Sequence, residues 1–320
     1  MSHELETVKG EVAMAFTGER GNIWHRLGTE VPDDITPDEM LKKAKVDWTV
    51  SKQPLFMKKG NKLIETNQRA LVRDSDDKIL DYVSKDWNPV QNSEAFEFFN
   101  DWVADGLMKM DSAGSLKGGQ IVWANAKLGE EFDLFGGDHV EGYLLFSNPH
   151  KFGQGINIRT CMTRTVCWNT ISAALREDSK VSYSQSHRTV FDADQVKMAM
   201  GVSKERMKQF KEQAAFLGAK LYTVDQMIEY FTTVFPVATT EGRKQRSEVS
   251  KNAKIAQEVI STQPGAKFAE GSFWQLLNTV TYMQDHMIGK SEDSRAVTSL
   301  YGTGATKKQQ ALKLALEMAS

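Results

Sequence analysis

Two cysteines, seven prolines and no long apolar run set the first limits on this chain of 320 residues. Two thiols cannot build a disulfide framework. Read on one extended strand, Cys161 and Cys167 sit about 20 Å apart at about 3.3 Å per residue, well beyond bridging distance. No apolar stretch approaches the roughly eighteen residues a spanning helix needs, and the N-terminus, MSHELETVKGE, is acidic and polar rather than a basic region feeding an apolar one. The expected location is the cytoplasm, with no membrane partner. Signatures of local chemistry are also missing. The six histidines, at 3, 25, 139, 150, 187 and 286, form no pair at ligand spacing, and no Cys-x-x-Cys is present, so no metal site and no cofactor are expected. Gly302-Thr-Gly-Ala-Thr-Lys-Lys308 lacks the spacing of a phosphate-cradling loop, no dinucleotide fingerprint opens a helix, and Ser115 and Ser147 have no nucleophile-elbow context. No catalytic residue is assigned.

What the chain has is an uneven charge distribution. Residues 1–144 carry 17 basic and 26 acidic side chains, residues 145–190 carry 6 and 2, and residues 191–320 carry 17 and 14. Positive charge therefore concentrates in the middle, where a field felt over about 8 Å in physiological salt could serve a polyanion.

Taken in order, residues 1–19 show no sustained periodicity and read as a flexible lead-in. Thr36-Pro37-Asp38-Glu39 is a helix start, with a cap, a first-turn proline and a capping-box glutamate. From Trp48 to Val83 two hairpins are expected, turning at Lys58-Lys-Gly-Asn61 and Asp74-Ser-Asp-Asp77. A helix capped at Asn92-Ser93 carries Phe96, Phe99 and Trp102 on one face and ends at Gly106. Strands then run at 107–110, 121–128 and 140–146, with turn signals at Ser112-Ala-Gly114, Lys117-Gly-Gly119 and Gly136-Gly-Asp138. After about residue 190 nearly every segment has helical spacing. The fold class expected is α+β, an antiparallel sheet with crossing helices in the N-terminal half and an all-helical C-terminal half. The domains expected are an α+β domain over residues 20–178 and a helical domain over residues 187–320.

The densest stretch is Gly155 to Arg176, GINIRTCMTRTVCWNTISAALR. As a strand it places Ile156, Ile158, Thr160 and Met162 on one face and Asn157, Arg159, Cys161 and Thr163 on the other, before Asn169 or Thr170 caps a helix carrying Ile171, Ala174 and Leu175. Lys151, Arg159, Arg164, Arg176 and Arg188 are the candidates for phosphate contact, and neighbouring aromatics could stack bases of a single strand. His25, Asn169 and His187 form a further possible site. His25 and His187, joined by nearby carboxylates, would be the basis of a dispersed enzyme site; the bland alternative is that the histidines are packed rings and some arginines pair with Glu177 and Asp178.

Several words in the chain occur together. They are Trp24-His-Arg-Leu-Gly-Thr29, Trp87-Asn-Pro-Val-Gln-Asn92, Ser112-Ala-Gly114, Thr163-Arg-Thr-Val-Cys-Trp-Asn-Thr170, Ser186-His-Arg-Thr189, Phe273-Trp-Gln-Leu-Leu-Asn278 and Asp285-His286. In these words, over residues 20–318, the chain resembles a phage and plasmid family of unassigned function marked by an early LGT motif, the domain of unknown function nine-three-two. One departure is Met162-Thr163, where the family has Pro-Val. The layout of hairpins crossed by a helix, with a basic strand-to-helix corner, is also similar to that of single-strand annealing proteins of the radiation-repair type, which form oligomeric rings around DNA. The resemblances imply a phage-encoded, homo-oligomeric protein of the host cytoplasm that holds single-stranded nucleic acid in recombination or replication without covalent chemistry. The alternative they leave is an interaction module that binds a phage or host protein through its helical half.

Overall fold

A computed structural model describes residues 6–8, 10–18, 28–164, 169–172, 182–187, 207–237, 249–289, 298–299 and 302–320; for residues 164, 169–172 and 182–185 it describes the backbone alone. The chain divides into two units. The first comprises residues 1–129, 143–160 and 178–202, and the second residues 130–142, 161–177 and 203–320.

In the first unit, β1 (Thr7–Val8) and β2 (Glu11–Val12) form a small hairpin, and β3 (Met14–Thr17) enters a larger sheet. The lead-in expected over residues 1–19 thus supplies a buried strand, with Ala13, Met14 and Ala15 wholly enclosed. β3 pairs antiparallel with β8 (Met108–Leu116) on one side and parallel with β4 (Thr29–Val31) on the other. Gly28 makes that parallel approach possible. Its φ of 100° lies in the left-handed region, and a Cβ there would stand 2.4 Å from the Met14 carbonyl oxygen. The glycine of the LGT word is therefore a packing requirement.

Helix α1 (Pro37–Lys43) starts as its sequence dictates. The Thr36 hydroxyl accepts from the Glu39 amide, and the Glu39 carboxylate accepts from the Thr36 amide. Helix α2 (Asn92–Ala104) lays Phe96, Phe98, Phe99 and Trp102 inward, and the rings of Phe98 and Phe99 meet Phe146 at centroid distances of 5.3 and 6.0 Å. β9 (Ile121–Leu134) pairs antiparallel with β8. Ser112-Ala-Gly114, expected as a turn, lies inside β8, where the absence of a side chain at Gly114 admits Ala13, Met14 and Trp123. The expected hairpins form a separate sheet in the order β5 (Val50–Lys59), β6 (Lys62–Arg73), β7 (Ile79–Ser84). Arg73 closes this region from within. It is ion-paired with buried Glu6 at 2.7 Å and with Asp76 at 2.6 Å, and its guanidinium lies over the Trp48 ring.

β10 (Asp138–Pro149) and β11 (Ile156–Arg164) complete the run of strands, and the unit boundary cuts across β9, β10 and β11. In the second unit the chain does not pass from β11 into a helix. It doubles back, with Arg164 opposite Asn169 and Cys161 opposite Ser172, so residues 169–172 are strand β12 (Asn169–Ser172). In the first unit β13 (Ser182–Gln185) pairs with the start of β11, Arg159 opposite Ser182.

These findings correct the expected fold class. The class remains α+β, but the large sheet is mixed because of the parallel β3–β4 pair, and the C-terminal half is not all helical, since it contains β12, β13 and a bridge between Leu221 and Ser272. The N-cap reading of Asn169 and Thr170 is corrected with it. Pairing with β11 draws both residues into the sheet, which the helical spacing of Ile171, Ala174 and Leu175 could not reveal.

The helical layer of the second unit comprises α3 (helical residues 207–219), α4 (Val224–Val234), α5 (Lys251–Val259), α6 (Phe273–Tyr282) and α7 (Thr303–Ala319). Its core gathers Phe210, Phe231, Phe273, Trp274, Leu277 and Leu312. Lys308 of α7 is itself buried and bonds to Asp285 and to the Ser299 hydroxyl, each at 2.7 Å. Among the described residues, no helix is long and apolar enough to cross a membrane.

Candidate functional site

Of the five basic candidates, the structure describes the side chains of two. Lys151 is half-buried in the turn after β10. Arg159 is half-buried on β11, on the polar face that its alternation requires, and its Nε–H donates to Asn157 Oδ1 at 2.7 Å. Arg164 closes β11 with only its backbone described, and the backbone of Asn169 faces it. Arg176, Arg188 and His25, like Cys167 and Trp168, lie outside the described residues.

His187 is brought to a buried polar node at the end of β10. There Asn92, in the first turn of α2, donates through Nδ2 to the carbonyls of Val46 and Trp48 at 3.0 and 3.3 Å. Its Oδ1 accepts from Asn148 Nδ2 at 3.2 Å and lies 2.9 Å from His150 Nε2. Because the Asn92 oxygen can only accept, His150 carries its proton on Nε2. Across the node the Trp87 ring stacks on His187 at 4.1 Å, the Asn88 amide donates to the His187 carbonyl at 2.8 Å, and His187 Nδ1 lies 3.1 Å from the Asn88 carbonyl. Two of the words noted in the sequence thus meet in space, those of Trp87 to Asn92 and of His187, and the strand end at His150 joins them.

The node is made for neutral imidazoles. Burial depresses the His150 pKa to about 3, reinforced by the nearby His187. Burial likewise brings His187 to about 4 against the opposing pull of the Asn88 and Pro149 carbonyls. At neutral pH both rings are uncharged hydrogen-bonding wedges, and His187 is almost wholly enclosed. Both rings are enclosed rather than presented to solvent.

A different surface stands out. β5 and β6 pair from Val50–Arg73 out to Lys59–Lys62, while β7 covers β6 only from Val72 back to Gln68. Residues 56–65 therefore form a two-stranded ribbon with both faces in solvent. Gly60, with φ of 63°, makes its turn. Pairing places Met57, Ile64, Lys59 and Lys62 on one face and Phe56, Leu63, Lys58 and Glu65 on the other. Phe56, Met57 and Leu63 are each more than half exposed, and Lys58, Lys59 and Lys62 are exposed beside them. Glu65, the one acid of the ribbon, is ion-paired with Arg69 at 2.6 Å, which leaves the tip positive. The sequence reading found this hairpin but took Lys58 and Lys59 for turn residues, whereas they are paired strand residues. Apolar residues on both faces of a strand pair were the available signal, because a strand packed on a core has one polar face.

Among the described residues, Glu131, His139 and Glu141 are the group whose donor atoms are close enough to share a metal ion. They lie on the β9–β10 hairpin of the second unit.

A family model described as "Domain of unknown function (DUF932)" matches residues 79–313. No curated protein and no solved structure matches the chain.

Proposed function

The chain belongs to this DUF932 family, and from that premise we propose that it binds single-stranded nucleic acid and acts by holding the strand rather than by covalent chemistry. The observation that carries this reading is the lysine-tipped ribbon. Lys58, Lys59 and Lys62 lie within five residues of hairpin and can each neutralise a phosphate. Phe56 offers a ring face to a base, and Met57, Leu63 and Ile64 offer apolar contact that an unpaired base accepts and a base inside a duplex does not. Lys151, Arg159, Arg164, Arg176 and Arg188 remain the candidates for a continuing phosphate track. A role in phage recombination or replication, as a homo-oligomer, fits a protein that holds strands for annealing. The direct test is fluorescence anisotropy with a labelled oligonucleotide at about 50 mM salt, where phosphate contacts are strong. Saturable binding to single strands supports the reading, and no measurable binding rejects it.

One feature favours a second reading. The apolar pair Met57–Ile64 on one ribbon face and Phe56 with Leu63 on the other would suit a phage or host protein that adds its own apolar surface. Such an association buries apolar area and gains little from low salt, whereas strand binding weakens steeply as salt rises.

A further inference from the structure

We propose that the β9–β10 hairpin carries a divalent-metal site, with Glu131, His139 and Glu141 as ligands, Asp133 as the group that orients the histidine, and zinc as the metal that suits them. The hairpin itself is rigidly seated within the second unit. Asp138, fully buried, accepts from the Trp274 indole N–H at 3.1 Å. Phe132 and Leu134 point inward, Phe132 toward Phe210, while Glu131 and Asp133 alternate to the outer face. Phe135 enters the turn with φ of 42° and covers Gly218 so closely that a Cβ there would overlap its ring. Residues 131, 133, 139 and 141 are thus presented together by a short turn that has little room to move.

The distances suit a shared ion. Asp133 Oδ1 lies 2.8 Å from His139 Nδ1, a hydrogen bond that fixes the ring and turns Nε2 to its other side. On that side stand Glu131 Oε2 at 3.5 Å and Glu141 Oε1 at 3.7 Å, and all three donor atoms lie within 4.8 Å of one another. Those separations exceed the 2.7–3.2 Å range of an N–H···O hydrogen bond. They are close to the roughly 3.4 Å that separates two ligands each about 2.1 Å from one tetrahedral zinc ion.

The donor chemistry narrows the ion. An imidazole nitrogen disfavours magnesium and calcium, which take oxygen ligands, and one nitrogen with two carboxylates suits zinc or a neighbouring first-row ion. Three protein ligands leave a fourth position for water, on the side where Glu131 is more than half exposed. Sequence spacing concealed the site because its ligands pair across a hairpin, as Glu131-x-Asp133 and His139-x-Glu141 on either side of Gly136-Gly137.

The test uses the full chain without a histidine affinity tag, titrated with Co2+ as a spectroscopic stand-in and then with Zn2+. One equivalent of Co2+ should give the visible d–d absorption of a low-coordinate site, and Zn2+ should abolish it. His139→Ala should remove the absorption, and Asp133→Asn should weaken affinity by about 10–100-fold through loss of orientation. Glu131→Gln, an exposed isosteric change that leaves the hairpin intact, should weaken it at least tenfold, and it decides the matter if His139→Ala does not fold. Only the spectrum of hydrated Co2+ in the wild-type protein, or an unchanged site in Glu131→Gln, would overturn the proposal.

Discussion

His150 Nε2 lies 2.9 Å from Asn92 Oδ1, and this bond ties the end of β10 to the first turn of α2. With His187 stacked on Trp87 nearby, it makes the interior of the first unit dependent on two uncharged imidazoles.

The consequence is a pH window. A histidine takes up its proton near pH 6.5 in the unfolded chain, but only near 4 at His187 and near 3 at His150 in the folded one. Between those limits the unfolded state binds more protons, so stability is full above pH 6.5 and is lost as pH falls, by roughly 1.4 kcal/mol per unit for each histidine. The urea midpoint should therefore decline already between about pH 6.5 and 5, where carboxylates are still ionised. His187→Gln should flatten that decline. A midpoint constant across the window would show that the rings are not buried neutral.

Gly28→Ala should destabilise the first unit. The positive φ alone costs about 1–2 kcal/mol for a residue with a Cβ, and the clash with the Met14 backbone adds to it. Gly60→Ala, also at positive φ but with nothing near the added carbon, should cost only the first of these. Comparing the two by chemical denaturation isolates the clash.

Lys308→Met should cost the second unit about 3–5 kcal/mol, because it removes the cation that neutralises a buried Asp285. Replacing both, as Asp285→Leu with Lys308→Met, should recover much of that loss. If the single variant unfolds at the wild-type denaturant concentration, the pair is not buried as described.

Legibility followed the range of the interactions. Helix α1 was readable because Thr36, Pro37 and Glu39 settle its start within four residues, and the β5–β6–β7 hairpins were readable because their turns are local. Strand β12 was not, since Ile171 has helical spacing to Ala174 and Leu175 and only pairing with Met162 makes it a strand. β3 was missed for a related reason. Four residues are too few for periodicity, and its burial comes from β8, some hundred residues away in the chain. At the candidate sites, the sequence named His187, Trp87 and His150 separately without joining them, and it identified the ribbon's turn without its exposed faces. Each omission is an interaction across strands, and a chain read in order shows residue types but not which of them meet.

The most direct measurement of the account is the salt dependence of single-strand affinity, taken for the wild-type protein and for the combined Lys58→Ala, Lys59→Ala, Lys62→Ala variant. These lysines are exposed on the ribbon, so the variant should fold normally. Log affinity should fall linearly with log salt, and the variant should bind more weakly with a slope shallower by about 2, close to 0.7 for each phosphate that no longer meets a lysine. Equal affinity and equal slope for the two proteins would contradict nucleic-acid binding by the ribbon.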